Sequence, residues 1–229
     1  MGEMIENIAH QWRQPLSVIS TVATGAKLKK DLNLLSDSEF YETMEIINNS
    51  SQHLSNTIDD FRNFFSNDKE VISFDVNEAI NKALSLVTSK LKNRDIQIIK
   101  SKDEITVLGL KNEFIQVILN IINNAIDAFE TLKDSDKYIF INSYKENENL
   151  ILTIKDNAGG IKEEIINRIF EPYFTTKHKS QGTGIGLYMS LEIIKKHMHG
   201  ELLVSNKEYI YNNNKCKGAE FKIIIPLNQ

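Results

Sequence analysis

Apolar side chains recur at helical spacing from the first turn of the chain. Ile5, Ile8, Trp12, Leu16, Ile19 and Ala23 predict a helix over residues 3–30. Pro15 falls inside that run, removes one backbone donor and should bend the helix just N-terminal to itself, beside His10. After a polar turn, where Ser36 or Asp37 can serve as cap, a second series begins. Phe40, Met44, Ile47, Ser51, Leu54, Ile58, Phe61 and Phe65 follow one another in steps of four and three. That is a heptad seam, about 40 Å long at a rise of ~1.5 Å per residue. Two such helices on a short turn cannot cover all of each other's apolar stripes. A hairpin of residues 1–66 is therefore expected to pair with a second copy as a dimeric four-helix bundle. Packing of the hairpin on the rest of its own chain is the other arrangement that the pattern allows.

Residues 67–73, with the run Asn67-Asp68-Lys69-Glu70, break the periodicity and read as a linker. From Phe74 onward, in residues 74–229, strands and helices alternate. Asp75 is placed to cap a helix running to about Lys92, and short strands are expected near 96–99 and 105–108. A strongly apolar helix follows from Asn112 to about Leu132, then a hairpin of strands at 138–144 and 150–155 about the turn Glu146-Asn147-Glu148-Asn149. A last helix spans about Gly186 to Met198. Two final strands, 201–205 and 219–225, are expected on either side of the polar Asn212-Asn213-Asn214 loop. The fold class is α+β: a helical hairpin, then an α/β sandwich with its helices on one face of the sheet.

Composition narrows the partners more than the fold. The chain has 229 residues, 41% of them hydrophobic and 25% charged, which is ordinary for a globular protein. A net charge of -4 gives no reason to expect nucleic acid or an anionic membrane as the main partner. The single cysteine, Cys216, has no companion for a disulfide or a zinc site, which fits a reducing compartment. No apolar run approaches the roughly 20 residues of a membrane span. A chain that opens directly into helical periodicity is expected to be the cytoplasmic portion of something longer, tethered to a membrane or not, without membrane contact of its own.

Three segments of the second part carry candidate chemistry. Asn120 and Asn124 lie one helical turn apart, so both carboxamides share a face; amide oxygens are suitable hard ligands for Mg²⁺. Asp156-Asn157-Ala158-Gly159-Gly160-Ile161 follows an apolar strand, and a carboxylate ahead of two glycines suits close approach to a flat ligand with an exocyclic amine. Gly182-Thr183-Gly184-Ile185-Gly186-Leu187 opens a helix and offers backbone N–H groups to phosphate. Between the last two, Phe170-Glu171-Pro172-Tyr173-Phe174 and the polar stretch to Gln181 have the character of a hinged lid anchored by aromatics. Singly, each also fits a plain structural reading: surface asparagines, a strand-to-helix turn, a helix start. His10 stands about 200° around its helix from Trp12, away from the apolar seam and toward solvent. His197 and His199 read as an exposed helix end, and Cys216 as an ordinary exposed thiol.

In order and spacing the segments resemble the catalytic core of the two-component sensor histidine kinases. His10-Gln-Trp-Arg-Gln-Pro-Leu resembles the H box, Asn120-Ile-Ile-Asn-Asn124-Ala the N box, and Asp156-Asn-Ala-Gly-Gly160-Ile the first glycine box. Phe170-Glu-Pro-Tyr-Phe resembles the F box and Gly182-Thr-Gly-Ile-Gly-Leu the second glycine box. The resemblance implies a dimerisation and phosphotransfer hairpin followed by the ATP-binding fold shared with gyrase, mismatch-repair and heat-shock ATPases. It implies His10 as phosphoacceptor, with Gln14 one turn on to orient a water for the reverse hydrolysis. By the same resemblance Asn124 is a Mg²⁺ ligand, Asn120 orients phosphate or metal, Asp156 reads adenine N6 and Gly160 lets the base approach. Gly182, Thr183, Gly184 and Gly186 wrap the phosphates, with Lys177 of the lid as a further phosphate contact. The partner implied is a receiver domain of a response regulator, which takes the phosphoryl group on an aspartate.

Three positions depart from the family pattern. Gln11 stands where an acid usually follows the phosphoacceptor, and an amide cannot act as base. Ala158 replaces a glycine, a small change if its φ is negative, and Asp127-Ala128 replace a basic and an aromatic residue. Gln11 keeps a second class of function open: an ATP-gated interaction module that binds nucleotide without useful kinase activity. A gyrase-like mechanochemical ATPase is disfavoured, because those relatives carry a glutamate base where Asn120 stands.

Overall fold

The computed structural model describes residues 2–65, 70–101, 103–132, 136–176 and 184–227, with side chains at all of these except 2–11, 14, 53, 56–65 and 131. The chain divides into two compact units, one centred on residues 1–66 and one on 67–174 with 185–229.

The first unit is the hairpin of α1 (Gly2–Asp31) and α2 (Asp37–Phe65). Pro15 lies inside α1 without ending it. The helix stops at Asn33, whose φ of 55° is the left-handed conformation that asparagine tolerates best after glycine. There Leu34 N–H closes on Lys29 O at 2.8 Å and Asn33 N–H on Lys30 O at 3.0 Å, covering carbonyls that the helix end would leave bare. Ser36 and Glu39 then form a reciprocal cap for α2: Glu39 N–H donates to Ser36 Oγ (3.3 Å) and Ser36 N–H to Glu39 Oε2 (3.1 Å). Lys29 Nζ reaches Glu39 Oε1 at 2.6 Å and joins the two helices across the turn. That hydrogen bond from Lys29, with the further ones from Ser36, holds the Glu39 carboxyl down at about 2. Within one copy of the hairpin much of the apolar stripe stays exposed, including Leu16, Leu28, Phe40 and Met44.

The second unit holds β1 (Ile72–Asp75), α3 (Val76–Asn93), β2 (Ile96–Ser101), β3 (Thr106–Gly109), α4 (Lys111–Ala128), β4 (Lys137–Glu146), β5 (Asn149–Asp156), α5 (Glu163–Ile166), α6 (Gly186–Glu192), β6 (Glu201–Tyr211) and β7 (Asn214–Pro226). Five strands form one sheet in the order β2-β4-β5-β7-β6, with β2 and β4 parallel and the other pairs antiparallel. Strands β1 and β3 make a separate antiparallel pair. Asp75 caps α3 as expected, its carboxylate accepting from Glu78 N–H at 2.8 Å. In α4, Phe114, Ile118, Ile121, Ile122 and Ile126 are almost fully buried, and each such side chain contributes about 1.5–3 kcal/mol of burial free energy.

Four features differ from the sequence expectation. Strand β1 begins at Ile72, inside the stretch expected to be linker. The last helix changes to a wider π-turn over Ile193–His197, which keeps both Ile193 and Ile194 fully buried. Strands β6 and β7 are much longer than expected, because the asparagine run contributes only a two-residue turn. Asn212 (φ 48°) and Asn213 (φ 62°) both lie in the left-handed region, as a tight hairpin turn demands. The outer parts of these strands run past the end of β5, and Tyr209 and Tyr211 meet Phe140 and Tyr138 of β4 edge to face, at 5.5 and 4.9 Å. Lys155 Nζ sits 3.8 Å from the Tyr209 ring centre in that cluster. Cys216, expected to be exposed, is buried instead.

Candidate functional site

Asp156 closes β5, and the loop after it turns on two residues with positive φ, Gly159 (90°) and Gly160 (83°). Ala158 is not among the positive-φ residues, so its methyl group costs this loop nothing. The Asp156 side chain is buried, and burial raises its pKa against the opposing hydrogen bonds from Ala158 and Ala219. Both bonds fall on one oxygen: Oδ1 accepts Ala158 N–H at 2.9 Å and Ala219 N–H at 3.1 Å. Oδ2 accepts none among the described residues. The carboxylate is thus oriented by the backbone through one oxygen and offers the other to a ligand donor.

Four residues that the sequence reading passed over hold this loop. Asn157 Oδ1 accepts Tyr138 N–H (2.8 Å) while its Nδ2 donates to Asp136 O (2.8 Å). Asn206 binds the backbone of Ile161 from both sides, Oδ1 accepting at 2.8 Å and Nδ2 donating at 2.7 Å. The Tyr209 hydroxyl donates to Asp156 O at 2.9 Å. Gly218 lies so close to β5 that a Cβ there would stand 1.7 Å from Asp156 O. Sequence position hides all of these except Asn157, because they reach the loop through strand register.

On α4, Asn120 and Asn124 are half-buried and one turn apart. Asn120 Nδ2 donates to Gly186 O (3.1 Å) and to Ser190 Oγ (3.2 Å), and the Ser190 hydroxyl donates in turn to Gly186 O (2.9 Å). A carbonyl only accepts, so the amide must turn its nitrogen toward α6. Its oxygen carries no hydrogen bond among the described residues and is the atom left for a cation or a ligand donor. The expected pair of segments therefore meets directly: the asparagine helix is tied to the first residue of the helix that Gly184 (φ 66°) and Gly186 open.

In the stretch expected to form a lid, Phe170 stacks edge to face on Phe221 of β7 at 6.4 Å, Arg168 lies over the Phe174 ring, and Tyr173 holds a φ of 66°. Lys177, Gly182 and Thr183 lie outside the described residues, and so do the side chains of His10, Gln11 and Gln14 and hence the outward direction expected for His10. The backbone of His10, Gln11 and Gln14 belongs to α1. Asp127, one of the departures, pairs with Arg94 at 3.8 Å across the ends of α3 and α4. His197 is no exposed helix end: its Nδ1 lies 2.6 Å from Oε2 of the buried Glu113 in the first turn of α4. Among the described residues no helix is long and apolar enough to cross a membrane.

The family described as histidine kinase-, DNA gyrase B- and HSP90-like ATPase matches residues 109–229, which hold this whole constellation, and the His kinase A (phospho-acceptor) domain matches residues 1–70. The chain belongs to this family, as a two-component histidine kinase core. The kinase core is 28% identical to the two-component sensor PprA of Pseudomonas aeruginosa over 99% of its own length and 24% of the relative's. It is 26% identical to sporulation kinase E of Bacillus subtilis over its full length and 29% of that protein. It thus spans about a quarter of the length of these two relatives. Among solved structures, the catalytic domain of histidine kinase ThkA is 28% identical, with a TM-score of 0.58 over 69% of this chain and 96% of that one. The fold of both parts is shared with histidine kinase ThkA in complex with the response regulator TrrA, at a TM-score of 0.73 and 23% identity over 99% of this chain and 62% of that one.

Proposed function

We propose that this chain is an ATP-dependent protein histidine kinase that phosphorylates its own His10 and passes the phosphoryl group to an aspartate of a response-regulator receiver domain. The observation that carries the reading is the Asp156 carboxylate, buried at a strand end, pinned through Oδ1 and open at Oδ2. Such an acceptor suits the exocyclic amine of adenine. Residues 74–229 are the catalytic domain in this reading, residues 1–66 the dimerisation and phosphotransfer hairpin, and 67–73 the linker.

The donor set fits a Mg²⁺-bound triphosphate. Asn124 would hold the ion through its amide oxygen, and Mg²⁺ when bound supplies neutralisation of phosphate charge. Asn120, with its nitrogen committed to Gly186 and Ser190, presents its oxygen on the same face of α4. Gly182, Thr183, Gly184 and Gly186 cradle the phosphates with backbone N–H groups, and Lys177 adds a cation. His10 Nε2 attacks the γ-phosphorus in line; the bond to the β,γ-bridging oxygen breaks and ADP leaves. Neutral imidazole is nucleophilic without a base, so Gln11 is compatible with the step. Gln14 orients water when the phosphohistidine is hydrolysed. The apolar side chains that one hairpin leaves exposed support a homodimer through residues 1–66. We place this segment in the cytoplasm, where ATP and receiver domains are found.

The test is incubation with γ-³²P-ATP and Mg²⁺. The expected product is label on the protein that is stable to alkali and lost in acid, absent from His10→Ala, and chased onto a receiver domain added afterwards. ATP hydrolysis without any labelled protein would contradict the proposal.

A further inference from the structure

The hairpin of β6 and β7 is the mould of the loop that follows Asp156. Ala219 N–H and the Tyr209 hydroxyl hold Asp156 itself, Lys217 O accepts Gly159 N–H at 2.8 Å, and Asn206 grips Ile161 at both of its polar backbone atoms. Within that set both N–H donors of Asn206 are used. Its oxygen is on Ile161 N–H, and its nitrogen serves both Ile161 O and Glu163 Oε1 (3.0 Å) at the start of α5. A Cβ at Gly160 would stand 2.6 Å from Asn206 Oδ1, so the amide fills the space that any side chain at 160 would need.

We propose that Asn206 is a positioning residue for purine selection. It fixes the loop so that Asp156 Oδ2 faces the 6-amino group of the base. The inference rests on the reading that Asp156 accepts a hydrogen bond from adenine N6.

The coupling is short and continuous. Ile161 is anchored by Asn206; Gly160 and Gly159, the residues with the widest backbone freedom, lie between it and Ala158. Ala158 N–H is one of the two donors that set the Asp156 carboxylate. Without the amide of Asn206, Gly159 N–H on Lys217 O is the remaining backbone tie between Ile161 and Ala158, and Ala158 N–H holds Oδ1 less firmly. Ala219 N–H then carries more of the hold on the carboxylate, and Oδ2 is directed less sharply. Shape and phosphate contacts are untouched, so what is lost is the preference for a base that bears the amine.

The experiment compares binding of ATP and of purine riboside triphosphate, which lacks the 6-amino group, to the full chain. Wild type is expected to prefer ATP by about tenfold or more, as one hydrogen bond to a carboxylate provides. Asp156→Asn should erase the preference. Asn206→Ala should narrow it by about three- to tenfold, chiefly through weaker ATP binding. Asn206→Ser keeps a short polar group that both donates and accepts, so it should narrow the preference in the same direction by less; it carries the test if the alanine variant does not fold. A purely structural role would lower the melting temperature and weaken both nucleotides alike. That result, or an unchanged preference, with Asp156→Asn still erasing it, would overturn the role of Asn206 alone. A preference that survives Asp156→Asn would overturn the reading of Asp156 beneath it.

Discussion

At the scale of single residues, the role proposed for Asp156 is set against stability. Burial raises its pKa, so the folded chain takes up this proton more readily than the unfolded chain does. The sign follows: with respect to this group, stability rises as pH falls from the raised folded pKa toward the unfolded value, and above both the ionised carboxylate costs stability. Asp156→Asn in the nucleotide-free chain should therefore melt no lower than wild type at pH 7, while its ATP affinity falls about tenfold or more. Thermal melts with and without ATP check both halves. Acidification should weaken ATP binding at a pH above that of an ordinary aspartate. With Oδ1 occupied by two N–H groups, the proton goes to Oδ2 and turns the acceptor into a donor facing an amine. A binding titration from pH 7 to 4 reads this directly. Asp156, Gly160 and Asn120 were legible because a carboxylate at a strand end, paired glycines and polar residues on an apolar helix are each visible locally. Asn206 and Tyr209 were not. Asn206 meets Ile161 across forty-five positions of sequence, and only the pairing of β6 with β7 brings it there.

At the scale of elements, two contacts assemble the site. The first is the Asn120–Gly186–Ser190 triangle that joins α4 to α6. Ser190 is fully buried, and Ser190→Ala leaves Asn120 Nδ2 with one acceptor fewer. The expected cost is about 1–2 kcal/mol of stability in denaturant unfolding, with weaker ATP binding. The second is the close passage of β7 beside β5. A methyl group at 218 would sit within a bond length or so of Asp156 O, so Gly218→Ala must displace the backbone. Its expected cost is about 2–4 kcal/mol, together with loss of nucleotide binding, read by melting and by calorimetry. The long helices were legible from their apolar periodicity, and the β4–β5 hairpin from two apolar runs about the turn Glu146-Asn147-Glu148-Asn149. Strand β1 was not, since four residues carry too little pattern to distinguish a strand from a linker. The outer halves of β6 and β7 were hidden for a different reason. Their neighbours are the rings of Tyr138 and Phe140 rather than a continuous sheet face, and Asn212-Asn213 has the composition of a loop.

At the scale of the whole molecule, the proposed reaction assigns the phosphoacceptor to the hairpin and the nucleotide site to the α/β unit. The hairpin turn has its own pH signature. Glu39 is held at about 2 against an ordinary 4.5, so its contribution is fully present above pH 4.5 and is lost as pH falls through about 2. The difference in amide-exchange protection at the α1–α2 turn between wild type and Glu39→Gln should therefore close over that window. If the exposed stripe is a dimer seam, replacing Phe40 and Met44 by serine should shift the chain from dimer to monomer in sedimentation and leave the ATP affinity of the α/β unit unchanged. The central claim is that a phosphoryl group from ATP arrives on His10. Mass spectrometry after incubation with ATP and Mg²⁺, under conditions that preserve phosphohistidine, tests it most directly. The expected result is a single phosphorylated site at His10, absent when Asp156 is replaced by asparagine at limiting ATP. Phosphate on another residue, or an unmodified His10 in a chain that has consumed its ATP, would contradict it.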